Sequence, residues 1–225
     1  MKYDLTIMGL DIGGANTDCS IYQIKDGNAE LLTSKKEYLP MWQKKDHLED
    51  CLTKFKEDHH VDVVVATTTA ELSDGYKSKR EGILDITKKV MNVFEGQTVK
   101  FVTFQGLKDY EYVTNNPLEM AAANWIATTQ LISKIKDNCI FMDMGTTTTD
   151  IIPIKNRKEA ATGHSDLERL CSGELVYTGM LRTNVATITH EIPVNNNVAT
   201  VSSELFATTA DVHLILNNIT RNEYT

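Results

Sequence analysis

Apolar and polar positions along this chain alternate between two periods. Residues 3–9 and 18–24 are apolar, β-branched runs on either side of Asp11-Ile12-Gly13-Gly14-Ala15-Asn16-Thr17. That pattern predicts a hairpin with glycines at its tip. Asp26-Gly27-Asn28 predicts a second turn, leading into a strand over 30–38. Within 47–56, Leu48, Cys51, Leu52 and Phe55 recur at helical spacing. Residues 61–66 predict a short buried strand that runs into the polar loop Thr67-Thr68-Thr69-Ala70-Glu71. Ile83, Ile86, Val90 and Val93 form a helical stripe, and 99–104 predicts another strand. Asn115-Asn116-Pro117 reads as a helix start, with Ala121, Trp125, Thr128, Ile132 and Ile135 on one face and small Ala122 and Ala123 allowing close packing. Residues 138–144 and 150–154 repeat the opening hairpin. Near the end, Ser202 or Ser203 is expected to cap a helix over 204–216, with Leu205, Thr209, Val212 and Leu216 on one side. Strands alternating with helices predict α/β layers.

The repeat is the informative feature. Leu10-Asp11-Ile12-Gly13-Gly14-Ala15-Asn16-Thr17-Asp18 aligns with Met142-Asp143-Met144-Gly145-Thr146-Thr147-Thr148-Thr149-Asp150 position by position. Two matched hairpins predict two lobes of similar build. Glycine lets a backbone turn approach a ligand closely. Successive N–H groups in such a turn form a nest for phosphate oxygens. The expected phosphate cradle is Gly13, Gly14, Ala15, Asn16 and Thr17 with Gly145, Thr146, Thr147 and Thr148, the threonines adding hydroxyl donors. Asp11 and Asp143 stand at the strand-to-turn junctions, where a carboxylate can hold Mg²⁺ directly or through water. Two carboxylates facing one phosphate repel it without a metal, so Mg²⁺ belongs to the expectation. The plainer alternative is two ordinary hairpins with aspartate as turn former. Asp18 and Asp150 are expected to brace the turns by local hydrogen bonds.

Charge and composition narrow the partners. The formal net charge of −8 makes nucleic acid a poor partner, since an acidic chain gains nothing from counterion release. No apolar run is long enough to span a bilayer. The four scattered cysteines show no ligand or redox spacing and are expected to be reduced thiols of a cytoplasmic protein, with Cys19 and Cys139 as small core residues. His59, His60 and His190 read as surface residues, and His213 as a packing residue.

Four segments carry a narrower resemblance: 9–18, 142–153, Ser172-Gly173-Glu174-Leu175-Val176-Tyr177-Thr178-Gly179, and 203–212. The chain resembles a hydantoinase A/oxoprolinase-related archaeal family within the superfamily of acetate and sugar kinases, Hsp70 and actin. The resemblance implies an α/β fold of two ribonuclease-H-like lobes, 1–136 and 137–225. It also implies a further segment beyond Thr225 that completes the second lobe. Thr146 stands where the family pattern suggests serine, which keeps the hydroxyl.

The family acts in one-carbon metabolism on tetrahydromethanopterin and methanofuran. The implied activity is a transferase that condenses gamma-glutamyltyramine with an aminomethyl-furanmethanol diphosphate and releases pyrophosphate. Its partners are then small molecules, with room for a homo-oligomer. Glu71 is the candidate base, because it follows a buried-looking strand and three threonines; the same position suits a solvated loop carboxylate. Arg182 is the candidate cation for pyrophosphate or for the glutamyl carboxylate, with Arg169 and Lys79 as alternatives or surface salt bridges. Twin hairpins alone equally suit an ATP-dependent kinase or phosphohydrolase, or a non-enzymatic nucleotide switch.

Overall fold

A computed structural model describes residues 4–57, 59–121, 123–163 and 165–224. The expected strand start at Tyr3 and the small side chain of Ala122 lie outside the described residues. The chain divides into two compact units, Met1–Thr128 and Thr129–Thr225.

The first unit contains β1 (Leu5–Ile12), β2 (Asn16–Lys25), β3 (Asn28–Tyr38), α1 (Met41–Lys44), α2 (Leu48–Lys56), β4 (Val63–Thr68), α3 (Lys79–Val93), β5 (Thr98–Thr103), β6 (Gly106–Lys108) and α4 (Tyr110–Asn115). Helix α5 (Asn124–Ile135) begins in the first unit and ends in the second. Six strands form one sheet in the order β3-β2-β1-β4-β5-β6. β1 lies antiparallel to β2 and parallel to β4, which is parallel to β5. This is the α/β, ribonuclease-H-like arrangement expected for the first lobe.

Strand alternation decides which face is covered. Met8, Leu10 and Ile12 of β1 are buried with Cys19 and Ile21 of β2, Val64 and Ala66 of β4, and Phe101 of β5. Leu48, Leu52 and Phe55 of α2 join them in one core with Ile83, Ile86 and Val90 of α3. The helical stripes read from the sequence are therefore the faces that close this core.

Two predicted helices differ. Asn115 ends α4 instead of starting a helix, and Pro117 opens a short 3-10 turn, Pro117–Glu119. The Asn116 side chain donates back to the Tyr112 carbonyl, so it closes the preceding helix. α5 starts only at Asn124. At the end of the chain the predicted helix over 204–216 shortens to α7 (Thr209–Ile215). Its first turn is held by Asp211, which accepts from the Thr208 N–H and hydroxyl. That local bond outcompetes the serine cap suggested further upstream.

The second unit holds β7 (Cys139–Met144), β8 (Thr149–Lys155), β9 (Lys158–Glu159), α6 (Asp166–Ser172), β10 (Leu175–Val176), β11 (Glu191–Val194), β12 (Asn197–Thr200) and α7. Its main sheet has the order β10-β8-β7, with β9 paired to β8. β11 and β12 form a separate hairpin. β7 repeats β1 in sequence but not in surroundings. Met8, Leu10 and Ile12 are at most 3% exposed, whereas their counterparts Ile140, Met142 and Met144 are 70%, 57% and 49% exposed. β1 is paired on both edges, and β7 pairs with β8 alone among the described residues.

Gly82 shows how tightly the first unit seats Glu71. A Cβ on Gly82, inside α3, would lie 2.7 Å from Glu71 Cα and 2.9 Å from its Cβ. Alanine normally favours a helix over glycine by about 1 kcal/mol. Here overpacking reverses the sign: Gly82→Ala is expected to destabilise the chain by about 1–3 kcal/mol, read from urea unfolding.

Candidate active site

The two hairpin tips are built alike. Ile12 faces Thr17 in the first ladder and Met144 faces Thr149 in the second. The Gly13 N–H donates to the Asn16 carbonyl at 2.9 Å, and the Gly145 N–H to the Thr148 carbonyl at 2.8 Å. Each tip is thus a four-residue turn closed by the same bond. Glycine is demanded unequally. A Cβ on Gly13 would sit 2.9 Å from the Asn16 carbonyl oxygen, whereas one on Gly145 would make ordinary contact at 3.5 Å with Thr148.

Asp11 and Asp143 are exposed, each one residue before the end of its strand. Gly13, Gly14, Ala15 and Asn16 are half-buried, Gly145, Thr146 and Thr147 are exposed, and Thr148 is half-buried. Thr17 is fully buried, in the core-facing row of β2 with Cys19 and Ile21, and its hydroxyl has no hydrogen-bond partner among the described residues. It lies on the other face of the ladder from Asp11. Its counterpart Thr149 donates its hydroxyl to the Thr178 carbonyl at 2.6 Å.

The end of β4 supplies residues that the sequence reading did not single out as ligand groups. Thr67 stands in register beside Asp11, with its hydroxyl buried and without a hydrogen-bond partner among the described residues. The Thr69 N–H donates to the Ile12 carbonyl at 3.0 Å, which ties this loop to the first tip. Glu71 follows in a 3-10 turn and is 2% exposed, so it is a buried carboxyl and not a solvated one. In the second unit the Arg182 N–H donates to the Thr146 carbonyl at 2.9 Å, so its backbone lies against the tip while its side chain is exposed.

Among the described residues no three His, Cys, Asp or Glu side chains gather as a metal cluster. A carboxylate at each tip suits a hard cation that keeps waters and shares phosphate oxygens, which is the habit of Mg²⁺. No helix of the described residues is long and apolar enough to cross a membrane.

Residues 62–225 match the hydantoinase/oxoprolinase family. The chain belongs to that family. It is 44% identical over 222 residues to the (4-{4-[2-(gamma-L-glutamylamino)ethyl]phenoxymethyl}furan-2-yl)methanamine synthase of Methanocaldococcus jannaschii, across 98% of this chain and 65% of that relative. A relative with the same name from Methanococcus vannielii is 49% identical over 90 residues, 40% of each chain. This chain therefore spans less than two thirds of the length of either relative. Among solved structures it is similar to a Ppx/GppA protein of Aquifex aeolicus, with TM-score 0.45 and 16% identity over 71% of this chain and 50% of that one. An exopolyphosphatase from Cytophaga hutchinsonii gives TM-score 0.46 and 14% identity over 78% and 51%.

Within this hydantoinase/oxoprolinase chain, each tip aspartate faces a second aspartate across its ladder: Asp11 opposite Asp18, and Asp143 opposite Asp150. Like charges directly opposite destabilise a sheet. A cation stands by each pair. Lys36 lies 3.8 Å from Asp18 at the surface. Arg169, only 2% exposed, meets Asp150 at 2.7 Å and donates to the Glu174 carbonyl at 3.0 Å. Arg169 is thus a buried brace and not a surface ion pair. Its seat needs a glycine, because a Cβ on Gly163 would lie 2.6 Å from Arg169 Cγ. Burial, with Asp143 and Asp166 nearby, pushes the Asp150 carboxyl up, and Arg169 opposes that push. The sequence reading missed the helix that carries Arg169; the signal that would have found it is the capping box Ser165-Asp166-Leu167-Glu168, whose reciprocal bonds form at 3.1 and 3.3 Å.

Glu174 completes the brace. Burial alone would raise its carboxyl, but the N–H groups of Thr162 and Gly163 outweigh that, aided by the hydroxyls of Ser172 and Thr162. They hold it below the ordinary value of 4.5. A depressed folded value adds stability above 4.5 that is lost as pH falls through the folded value. The wild type is therefore expected to lose stability in acid below that point, and Glu174→Gln to flatten the loss, as measured by thermal melts across pH. Arg169→Met leaves the half-buried Asp150 without its cation and is expected to cost about 3 kcal/mol. Adding Asp150→Asn should recover part of that loss in the same melts.

The cysteines play no part in this arrangement. All four are free thiols among the described residues, and burial pushes Cys19 and Cys51 up to about 11.

Proposed function

We propose that this chain belongs to a transferase of methanofuran biosynthesis that joins gamma-glutamyltyramine to an aminomethyl-furanmethanol diphosphate. The observation that carries the reading is 44% identity to the Methanocaldococcus jannaschii synthase along 98% of this chain, a span that takes in both hairpins. The exposed Asp11 and Asp143, each beside a closed glycine turn, support it, since a carboxylate next to turn amides suits a diphosphate that carries Mg²⁺.

In the proposed reaction the phenol oxygen forms a C–O bond at the furan CH₂. The bond from that carbon to the diphosphate breaks, pyrophosphate leaves, and the phenol proton goes to a base. A free phenol has a pKa of about 10 and is a poor nucleophile at neutral pH. Glu71 is the proposed base, a carboxyl in the loop that the Thr69 N–H ties to the first tip. Arg182 would hold the diphosphate or the glutamyl carboxylate. Asp11, and in the second unit Asp143, would each be a ligand for Mg²⁺, and the ion would supply positive charge for a leaving diphosphate. The tip amides would bind its oxygens where negative charge develops.

Incubating the full-length protein with Mg²⁺ and both substrates is expected to release pyrophosphate and form the aryl ether. ATP hydrolysis with no ether formed would replace this reading with the kinase or phosphohydrolase alternative. Asp11→Asn and Asp143→Asn are each expected to weaken Mg²⁺-dependent pyrophosphate binding about tenfold or more in calorimetric titration. Glu71→Gln should lower turnover about a hundredfold and leave that affinity unchanged. Full activity in this variant removes Glu71 from the mechanism.

A further inference from the structure

Each tip is gripped from outside by a short length of backbone. At the first, the Met41 N–H donates to the Gly14 carbonyl at 2.8 Å and the Leu39 N–H to the Ala15 carbonyl at 2.9 Å. Pro40, between them, has no N–H to offer. At the second, the Met180 N–H donates to the Gly145 carbonyl at 3.0 Å. The Leu181 and Arg182 N–H groups both donate to the Thr146 carbonyl, at 3.2 and 2.9 Å. The strap at each tip thus fixes two successive carbonyls.

A trans peptide holds its C=O and the following N–H in opposite directions. No cis peptide occurs among the described residues. Tying the Gly14 and Ala15 carbonyls to residues 39–41 therefore turns the Ala15 and Asn16 N–H groups away from that strap. Tying the Gly145 and Thr146 carbonyls to residues 180–182 does the same for the Thr146 and Thr147 N–H groups. The Gly13 and Gly145 N–H groups are already engaged inside their turns. Two consecutive amides aimed one way make an anion nest.

The straps close because glycine stands where they meet other backbone. A Cβ on Gly179 would lie 2.5 Å from Thr147 N and 2.6 Å from Thr146 C, on the very peptide being aimed. A Cβ on Gly75 would lie 2.8 Å from the Met41 carbonyl oxygen in the first strap. The second strap is anchored in turn: the Thr183 hydroxyl accepts from the Gly179 N–H at 2.7 Å, and the Ala210 N–H donates to the Leu181 carbonyl at 3.0 Å.

We infer that residues 39–41 and 180–182 are positioning straps that aim the Ala15, Asn16, Thr146 and Thr147 amides at phosphoryl oxygens, with Gly179 required for the second. This rests on the phosphate-binding reading above and selects, from nine cradle residues, the four whose amides do the binding. Arg182 then serves the second tip through its backbone as well as its side chain.

The test is amide-resolved NMR of the whole chain titrated with inorganic pyrophosphate and Mg²⁺. The Ala15, Asn16, Thr146 and Thr147 resonances are expected to shift most and to saturate. Those of Gly13, Gly145, Leu39, Met41 and Arg182 should move little, because their N–H bonds are already made. Saturable shifts centred on Gly13, Gly145 or the straps overturn the inference while leaving phosphate binding intact. No saturable shift anywhere overturns the phosphate reading and the inference with it. Gly179→Ala is expected to weaken the Thr146 and Thr147 response about tenfold to a hundredfold, the loss of one or two charge-assisted bonds, with the Ala15 and Asn16 response unchanged. An unchanged response at both tips removes Gly179 from its role. The wild-type titration decides the aim of the amides even if this variant does not fold.

Discussion

The bond from the Gly13 N–H to the Asn16 carbonyl, with its twin from Gly145 to Thr148, closes a four-residue turn on which the candidate ligand groups depend. Closing the turn there sets the ladder register, so that Asp11 faces Asp18 and Asp143 faces Asp150. That register puts each tip aspartate on the exposed side and the turn-ending threonine on the covered side. A one-residue slip would exchange the two faces, sending the carboxylate inward and the threonine out. The glycine is what permits the bond at the first tip, where any Cβ would collide with the acceptor.

The register also creates a cost that each unit meets differently. Paired aspartates repel across a ladder, and the first unit answers with a surface lysine on the neighbouring strand. Surface pairs of this kind contribute little. The second unit uses a buried arginine, which is strongly coupled to its surroundings through Gly163, Glu174 and helix α6. The second tip is therefore tied to local stability in a way that the first is not. Loss of Arg169 would disturb the fold of the second unit, whereas loss of Lys36 would change only exposed charge.

Repetition in sequence produced repetition in the turns but not in their settings. Leu10-Asp11-Ile12-Gly13 and Met142-Asp143-Met144-Gly145 adopt the same local geometry because that geometry needs only an extended strand, a tight turn and a returning strand. What lies beside those strands depends on other residues. β1 receives β4 on its second edge and two helices on one face, and its apolar positions are covered. β7 carries the same apolar alternation with much of it exposed.

The sequence by itself determined the α/β class, both hairpins with their aspartates and glycines, the core faces of α2 and α3, and the hydantoinase/oxoprolinase family. Each of these rests on local spacing or on motifs long enough to be specific. It misjudged the helix start near Asn116, because a capping residue serves equally well to close the preceding turn, and the one near Ser203, because Asp211 holds the first turn at Thr208 instead. Tertiary structure alone decided the burial of Glu71 beneath Gly82, the pairing of Arg169 with Asp150, and the placing of Thr67 beside Asp11. It also decided which peptides at each tip are gripped from outside. Those contacts join positions 11 to 56 residues apart, or more than 30 at the second strap, and nothing in local spacing encodes which distant backbone will arrive.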